Sequence, residues 1–183
     1  MTSFDLEYFR KDHYALFGLD RRQGLDDLEL ERVYREVQSL VHPDKHAHLG
    51  DAERRLAMQW ATRVNEAYLT LKNPLKRAEY LLRLVGHDPE IECNTAMPTE
   101  FLIQQLEWRE GVEEARQAAD VDRLDGFHRR LRAEMTAQYA ELADAIDTGH
   151  DYPAAAQIVR QLMFKEKLLH EIDEALAAAE AAA

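Results

Sequence analysis

The residues best placed to do chemistry in this 183-residue chain are four consecutive ones, His42-Pro43-Asp44-Lys45, followed by His46 and His48. A carboxylate can pair in bidentate fashion with an arginine, and an imidazole near its ordinary pKa can donate or accept. The proline between them fixes its own φ and pushes His42 out of the helical region, so a helix arriving there must stop and both flanking side chains are displayed. A loop ordered in this way loses less entropy when a partner docks. Nitrogen and oxygen donors at His42, Asp44, His46 and His48 are also a set that zinc accepts. However, no cysteine lies nearby and a helix-ending proline interrupts the run, so no metal and no other cofactor is expected. No serine or cysteine nucleophile stands at a recognisable spacing from these groups, so a catalytic triad is not indicated. Contact, rather than catalysis, is the chemistry this segment suits.

The elements that must position it are helical. Apolar residues recur at spacings of three and four, and sustained alternation is missing, so the chain reads as all-α. A short first helix ends near Gly18. A second is predicted from an N-cap at Asp26 to about Val41, with Leu28, Val33, Val37, Leu40 and Val41 facing inward. A third runs from Asp51 to about Lys72, presenting Leu56, Trp60, Val64, Ala67 and Leu71. Asn73 caps a fourth, whose Leu75, Ala78, Leu81, Leu82 and Val85 stop at Gly86. Residues 86–98 read as a linker between a unit at 1–85 and a unit at 99–183. Three longer helices, about 99–118, 121–148 and 152–178, are expected to form an antiparallel bundle, with the Ala-rich end from Ala175 to Ala183 frayed.

Charge divides the same way. Residues 1–85 hold 14 Lys+Arg and 14 Asp+Glu, leaving 9 and 21 for the remainder, so the whole net charge of -12 sits in the second half. Such a surface repels phosphate backbones, so nucleic acid is not an expected partner. Neither a signal peptide nor a membrane-spanning run is read, and the lone Cys93 suits a reducing compartment, the cytoplasm.

The fifth helix carries two apolar stripes where a core needs one. With Phe101 at zero and about 100° per residue, Phe101, Gln105, Trp108, Val112, Ala115 and Ala119 stay within about 40° of one line. Leu102, Leu106 and Ile103 fall at about 100°, 140° and 200°, with Glu110 among them at about 180°. On the last helix Ile158, Leu162, Leu169, Ile172 and Leu176 form the expected core line, and Phe164 stands roughly 120° away as an exposed aromatic. Either the first half of the chain packs on this patch and buries it as a domain interface, or the patch is a partner surface, which clustered apolar side chains beside carboxylates suit better.

A helical hairpin whose loop reads His42-Pro43-Asp44 resembles the J-domain. Tyr34, the stretch Asn65-Glu66-Ala67-Tyr68 and the segment Tyr14-Ala-Leu-Phe-Gly-Leu strengthen the likeness. In that family the loop meets a DnaK-type chaperone and stimulates its ATP hydrolysis, and basic residues beside it, here Arg32, Arg35 and Lys45, meet an acidic chaperone surface. The chain as a whole resembles the HscB (Hsc20) co-chaperones of iron-sulfur cluster assembly. The likeness rests on Asn73-Pro74-Leu75-Lys76-Arg77-Ala78-Glu79-Tyr80-Leu81-Leu82, on Phe101-Leu102-Ile103-Gln104-Gln105-Leu106-Glu107-Trp108-Arg109-Glu110 and on the segment around Phe164.

The resemblance implies a non-enzymatic, L-shaped molecule without metal, which binds an IscU-type scaffold protein and presents it to an HscA-type chaperone. Family client-binding positions correspond to Leu102, Ile103, Leu106, Glu107, Glu110, Glu114 and Phe164. Ile103 replaces a frequent Met, and Trp108 and Gly111 depart from the family pattern. Two other readings compete: a J-protein adaptor for a different client, and a metal-dependent enzyme at the His-rich loop.

Overall fold

A computed structural model describes residues 11–41, 50–88 and 97–182. The described residues contain helices α1 (His13–Phe17), α2 (Asp27–Val41), α3 (Asp51–Lys72), α4 (Pro74–Leu84), α5 (Thr99–Gln117), α6 (Val121–Ala143) and α7 (Tyr152–Ala182), and no strand. The chain divides into two compact units, Met1–Leu81 and Leu82–Ala183.

In the first unit α1 is defined by its ends. The Asp12 carboxylate accepts from the Ala15 N–H at 2.9 Å, and Gly18 stops the helix at φ 67°, a left-handed conformation that costs glycine nothing. The fully buried Tyr14 anchors α1, its hydroxyl donating to the Arg22 carbonyl. On α3, Ala57, Trp60, Val64, Ala67 and Leu71 form the buried stripe that α1 and α2 cover, whereas Leu56 is only half-buried.

The inward face of α2 differs from the expected one. Leu30 is buried with Val33, Tyr34 and Val37 are partly covered, and Leu28 and Leu40 are 77% and 67% exposed. Leu30, Val33, Tyr34 and Val37 are spaced by three, one and three residues and so share a stripe. Leu28 sits roughly 160° from Leu30, so one helix cannot bury both.

The run after Asn73 ties the first unit together. Asn73 accepts from the Lys76 N–H at 2.9 Å and so caps α4 as expected. Arg77, 6% exposed, donates to the Leu71 carbonyl at 2.8 Å, satisfying an end of α3 that has no helical partner. The Tyr80 hydroxyl accepts from the His13 N–H at 3.0 Å, and its ring stacks on the His13 imidazole at 4.1 Å and 11°. Val85, expected inside, is 42% exposed beside the left-handed Gly86 at φ 79°.

The second unit is the expected set of three helices, each packed on the other two. Leu124, Phe127, Leu131, Met135 and Leu142 are the buried residues of α6, which ends in one wide turn over Asp144–Thr148. The buried stripe of α7 runs through Val159, Leu162, Leu168, Ile172, Ala175 and Ala179 rather than through Ile158, Leu169 and Leu176, which are half-buried. The Ala-rich end does not fray before Ala182. Buried Ala175 and Ala179 hold it, because small side chains allow close approach.

His13 generates a prediction. Burial, helped by the nearby Arg63 guanidinium, lowers its pKa below 6.5, against the weaker pull of Glu66 and Asp12. A group depressed in the fold contributes fully above its unfolded pKa and loses that contribution as pH falls through the folded one. Chemical denaturation should therefore show stability falling between pH 7 and 5, by at most about 1.4 kcal/mol per pH unit from this residue. His13→Phe, which keeps the stack on Tyr80, should flatten that part of the profile; an unchanged slope would reject the assignment.

Candidate partner-binding faces

The first candidate face belongs to the α2–α3 hairpin. Tyr34 joins its two helices: the hydroxyl donates to Asn65 Oδ1 at 2.9 Å and accepts from Gln38 Nε2 at 3.0 Å, while the ring stacks on Tyr68 at 3.9 Å and 14°. The edge of Phe17 meets Tyr34 at 6.4 Å, so α1 braces the same point. This joint ties the middle of α2 to the C-terminal half of α3. His42, Pro43, Asp44 and Lys45, with the zinc reading of His46 and His48, lie outside the described residues.

Arg32 and Arg35 stand on the outer side of α2, 58% and 72% exposed in their side chains. Arg32 bonds Glu36 and Arg35 bonds Glu31, both at 2.8 Å one turn away. The hydrogen bond from Arg35, followed by its charge, lowers the Glu31 pKa and raises that of Arg35. Pairs this exposed are weakly held, so a partner's carboxylate can displace them.

The second face lies on the bundle. Phe101, Gln105, Val112 and Ala115 of α5 are buried and Trp108 is half-buried, whereas Ala119, past the end of the helix at φ 50°, is exposed. On the opposite side Leu102, Ile103 and Leu106 are 46%, 53% and 59% exposed. Phe164 of α7 is 37% exposed and meets the edge of Phe101 at 6.1 Å and 78°, which places it beside the first turn of α5.

The carboxylates of α5 differ among themselves. Glu107 and Glu110 are exposed and have no ion-pair partner among the described residues, but Glu114 is held by Arg123 of α6 at 2.9 Å. Of the three carboxylates at positions corresponding to family client-binding residues, only Glu114 is engaged in an ion pair among the described residues. Sequence spacing gave no sign of this, because Arg123 reaches Glu114 across the α5–α6 turn.

The two departures on α5 belong to its packing. A methyl at Gly111 would stand 2.6 Å from Cζ of Phe127, so the missing side chain is what lets that ring approach. Phe127 also packs on Trp108 at 5.5 Å, with the Arg130 guanidinium 5.1 Å from the Trp108 ring and 4.8 Å from that of Phe127.

Comparison with known proteins follows the same division. A family model described as the DnaJ domain matches residues 12–80, and one described as the HSCB C-terminal oligomerisation domain matches residues 97–173. The co-chaperone protein HscB homolog of Azoarcus sp. (strain BH72) is 55% identical over 171 residues, covering 93% of this chain and 97% of its own. The chain belongs to the HscB family of co-chaperones. Among solved structures, the chaperone HscB from Vibrio cholerae is 34% identical with a TM-score of 0.78, over 90% of this chain and 96% of that one. Human HscB is 27% identical with a TM-score of 0.83, over 90% and 81%. As a J-domain co-chaperone, this HscB protein acts with a chaperone of the DnaK type. No described helix is long and apolar enough to cross a membrane.

In this HscB chain the Arg77-Ala-Glu-Tyr-Leu-Leu run has an architectural part: Arg77 closes the end of α3 and Tyr80 holds the start of α1. Pattern reasoning identified that run without reaching its role, since both bonds are long-range and neither leaves a periodicity.

Gly111 and Phe127 should be coupled. Gly111→Ala should destabilise the bundle by about 1–2 kcal/mol, the overpacking exceeding the roughly 1 kcal/mol that alanine adds to a helix. With Phe127→Leu already in place, the same change should instead stabilise by about 1 kcal/mol. Equal effects in both backgrounds, measured by chemical denaturation, would show that Phe127 does not set the glycine.

Proposed function

We propose that this protein binds an iron-sulfur cluster scaffold of the IscU type through its bundle, brings it to an HscA-type chaperone, and stimulates that chaperone's ATPase, promoting maturation of iron-sulfur proteins. It is not itself an enzyme in this reading. The observation that carries it is one chain combining a helical hairpin, whose connecting sequence contains His42-Pro43-Asp44, with a bundle that leaves Leu102, Ile103, Leu106 and Phe164 in solvent beside Glu107 and Glu110, which have no ion-pair partner among the described residues. Large apolar groups rimmed by charge are the anatomy of a small hot spot, and two free carboxylates favour a partner with basic groups around an apolar centre.

The chemistry at the chaperone is docking. Asp44 supplies a carboxylate for an arginine of the chaperone, His42 supplies a switchable hydrogen-bonding group, and Arg32, Arg35 and Lys45 add attraction to an acidic surface. Glu114 takes part on the client side once Arg123 yields it. Holding the scaffold on the bundle while the hairpin engages the chaperone makes the second encounter intramolecular, so its effective concentration rises without new contacts. The setting of such a system is the cytoplasm.

A steady-state ATPase assay with the chaperone, with and without the scaffold, tests the whole reading: the two partners together should stimulate more than the sum of each alone. Asp44→Ala should abolish stimulation while far-UV circular dichroism stays unchanged, and retained stimulation rejects the loop's role. Leu102→Ala, Leu106→Ala and Phe164→Ala combined should weaken scaffold binding by about a hundredfold or more in calorimetry, with helicity kept. Unaltered affinity would mean that the scaffold binds elsewhere.

A further inference from the structure

Lys165 occupies a core position. It is 7% exposed on the buried stripe of α7, three residues after the fully buried Leu162 and three before the fully buried Leu168. Lysine is almost never taken this far from water without a partner. Its partner is Glu134 of α6, whose Oε2 accepts from Lys165 Nζ at 3.1 Å and whose side chain is still 38% exposed. The ammonium thus passes along the α6–α7 seam to a carboxylate at its rim. Two further bonds cross the same seam close by: the Tyr139 hydroxyl donates to Glu166 at 2.8 Å, and the Gln138 amide donates to that of Gln161.

Directional bonds at known positions resist rotation of a helix about its axis, in addition to the interlocking of its apolar side chains. Phe164 precedes Lys165 and so points about 100° away round α7. A turn of α7 toward Phe164 would sink that ring between α5 and α7 and draw Lys165 away from Glu134. A turn the other way follows the apolar line of Ile158, Leu162, Leu169 and Leu176, and lifts Phe164 off Phe101. Both strain the Lys165–Glu134 bond. We infer that Lys165, through Glu134, is a positioning residue: the pair sets the rotation of α7 so that Phe164 stands at the rim of the bundle, edge-on to Phe101, ready for the partner.

This inference rests on the reading of Phe164 as part of the scaffold face, and it refines that reading by naming what presets the aromatic group. A buried ion pair is not in general a source of stability, so an apolar replacement need not loosen the fold. Preset geometry, by contrast, shows in affinity.

The test is Lys165→Met in the full chain, an unbranched side chain without the charge, which leaves Glu134 at the rim with water. The thermal midpoint should be unchanged or higher, while the dissociation constant for the scaffold rises about five- to twentyfold. Exchanging the pair, Lys165→Glu with Glu134→Lys, should recover affinity to within about twofold, and Lys165→Glu alone should not. A second readout needs no scaffold: nuclear Overhauser effects between the Phe101 and Phe164 rings should weaken in Lys165→Met and return in the exchanged pair. If those effects are the same in Lys165→Met, the positioning role is overturned whatever the scaffold does. If they change but Phe164→Ala binds the scaffold as the parent does, the scaffold face is at fault and the positioning stands.

Discussion

A helix in a three-helix bundle has one stripe to give to the core, and α5 carries more apolar surface than that stripe can take. Its Phe101, Gln105, Val112 and Ala115 line is used up against α6 and α7. Leu102, Ile103 and Leu106 are left over from that stripe and stand largely in water. The character of the second unit follows from this surplus. The carboxylates beside it keep the patch soluble, and α7 supplies Phe164 to extend it.

The first unit depends on a different kind of constraint, the closure of helix ends. Asp12, Gly18, Arg77 and Tyr80 each satisfy or terminate a backbone end, and three of the four act on α1. A five-residue helix has almost no stability of its own, so α1 exists because its ends are capped and its Tyr14, Leu16 and Phe17 are buried. With α1 in place, Phe17 braces Tyr34, and Tyr34 locks α2 to α3. The two helices of the hairpin are thereby tied together along their middle.

Much of this was legible before any coordinates. Helix starts and stops carry chemical marks, so Gly18 marked the end of α1, and Asn73 and Gly86 bracketed α4. The two stripes of α5 were separable because a single helix turns by a known angle, and Leu102, Ile103, Leu106 and Phe164 are exposed as the wheel required. Rotation about the helix axis was less legible. On α2, the wheel lacked Leu30 and included Leu28 because several leucines offered rival stripes, and only the surface of α3 decides between them. On α7 the core passes through a lysine and four alanines, residues that hydropathy assigns to water or to neither side. Charges were least legible of all: nothing in the chain order said that Glu114 would be engaged, and Glu107 and Glu110 without an ion-pair partner among the described residues, since that depends on which arginine a turn brings within reach.

The division of α5 into two non-overlapping sides has an evolutionary corollary. Substitutions at Leu102, Ile103, Leu106, Glu107 or Glu110 fall on side chains that stand largely outside the core, so this face can change without passing through misfolded ancestors. The inner side enjoys no such freedom. Gly111 sits hard against Phe127, and a lineage that gains a side chain there must first make room on α6.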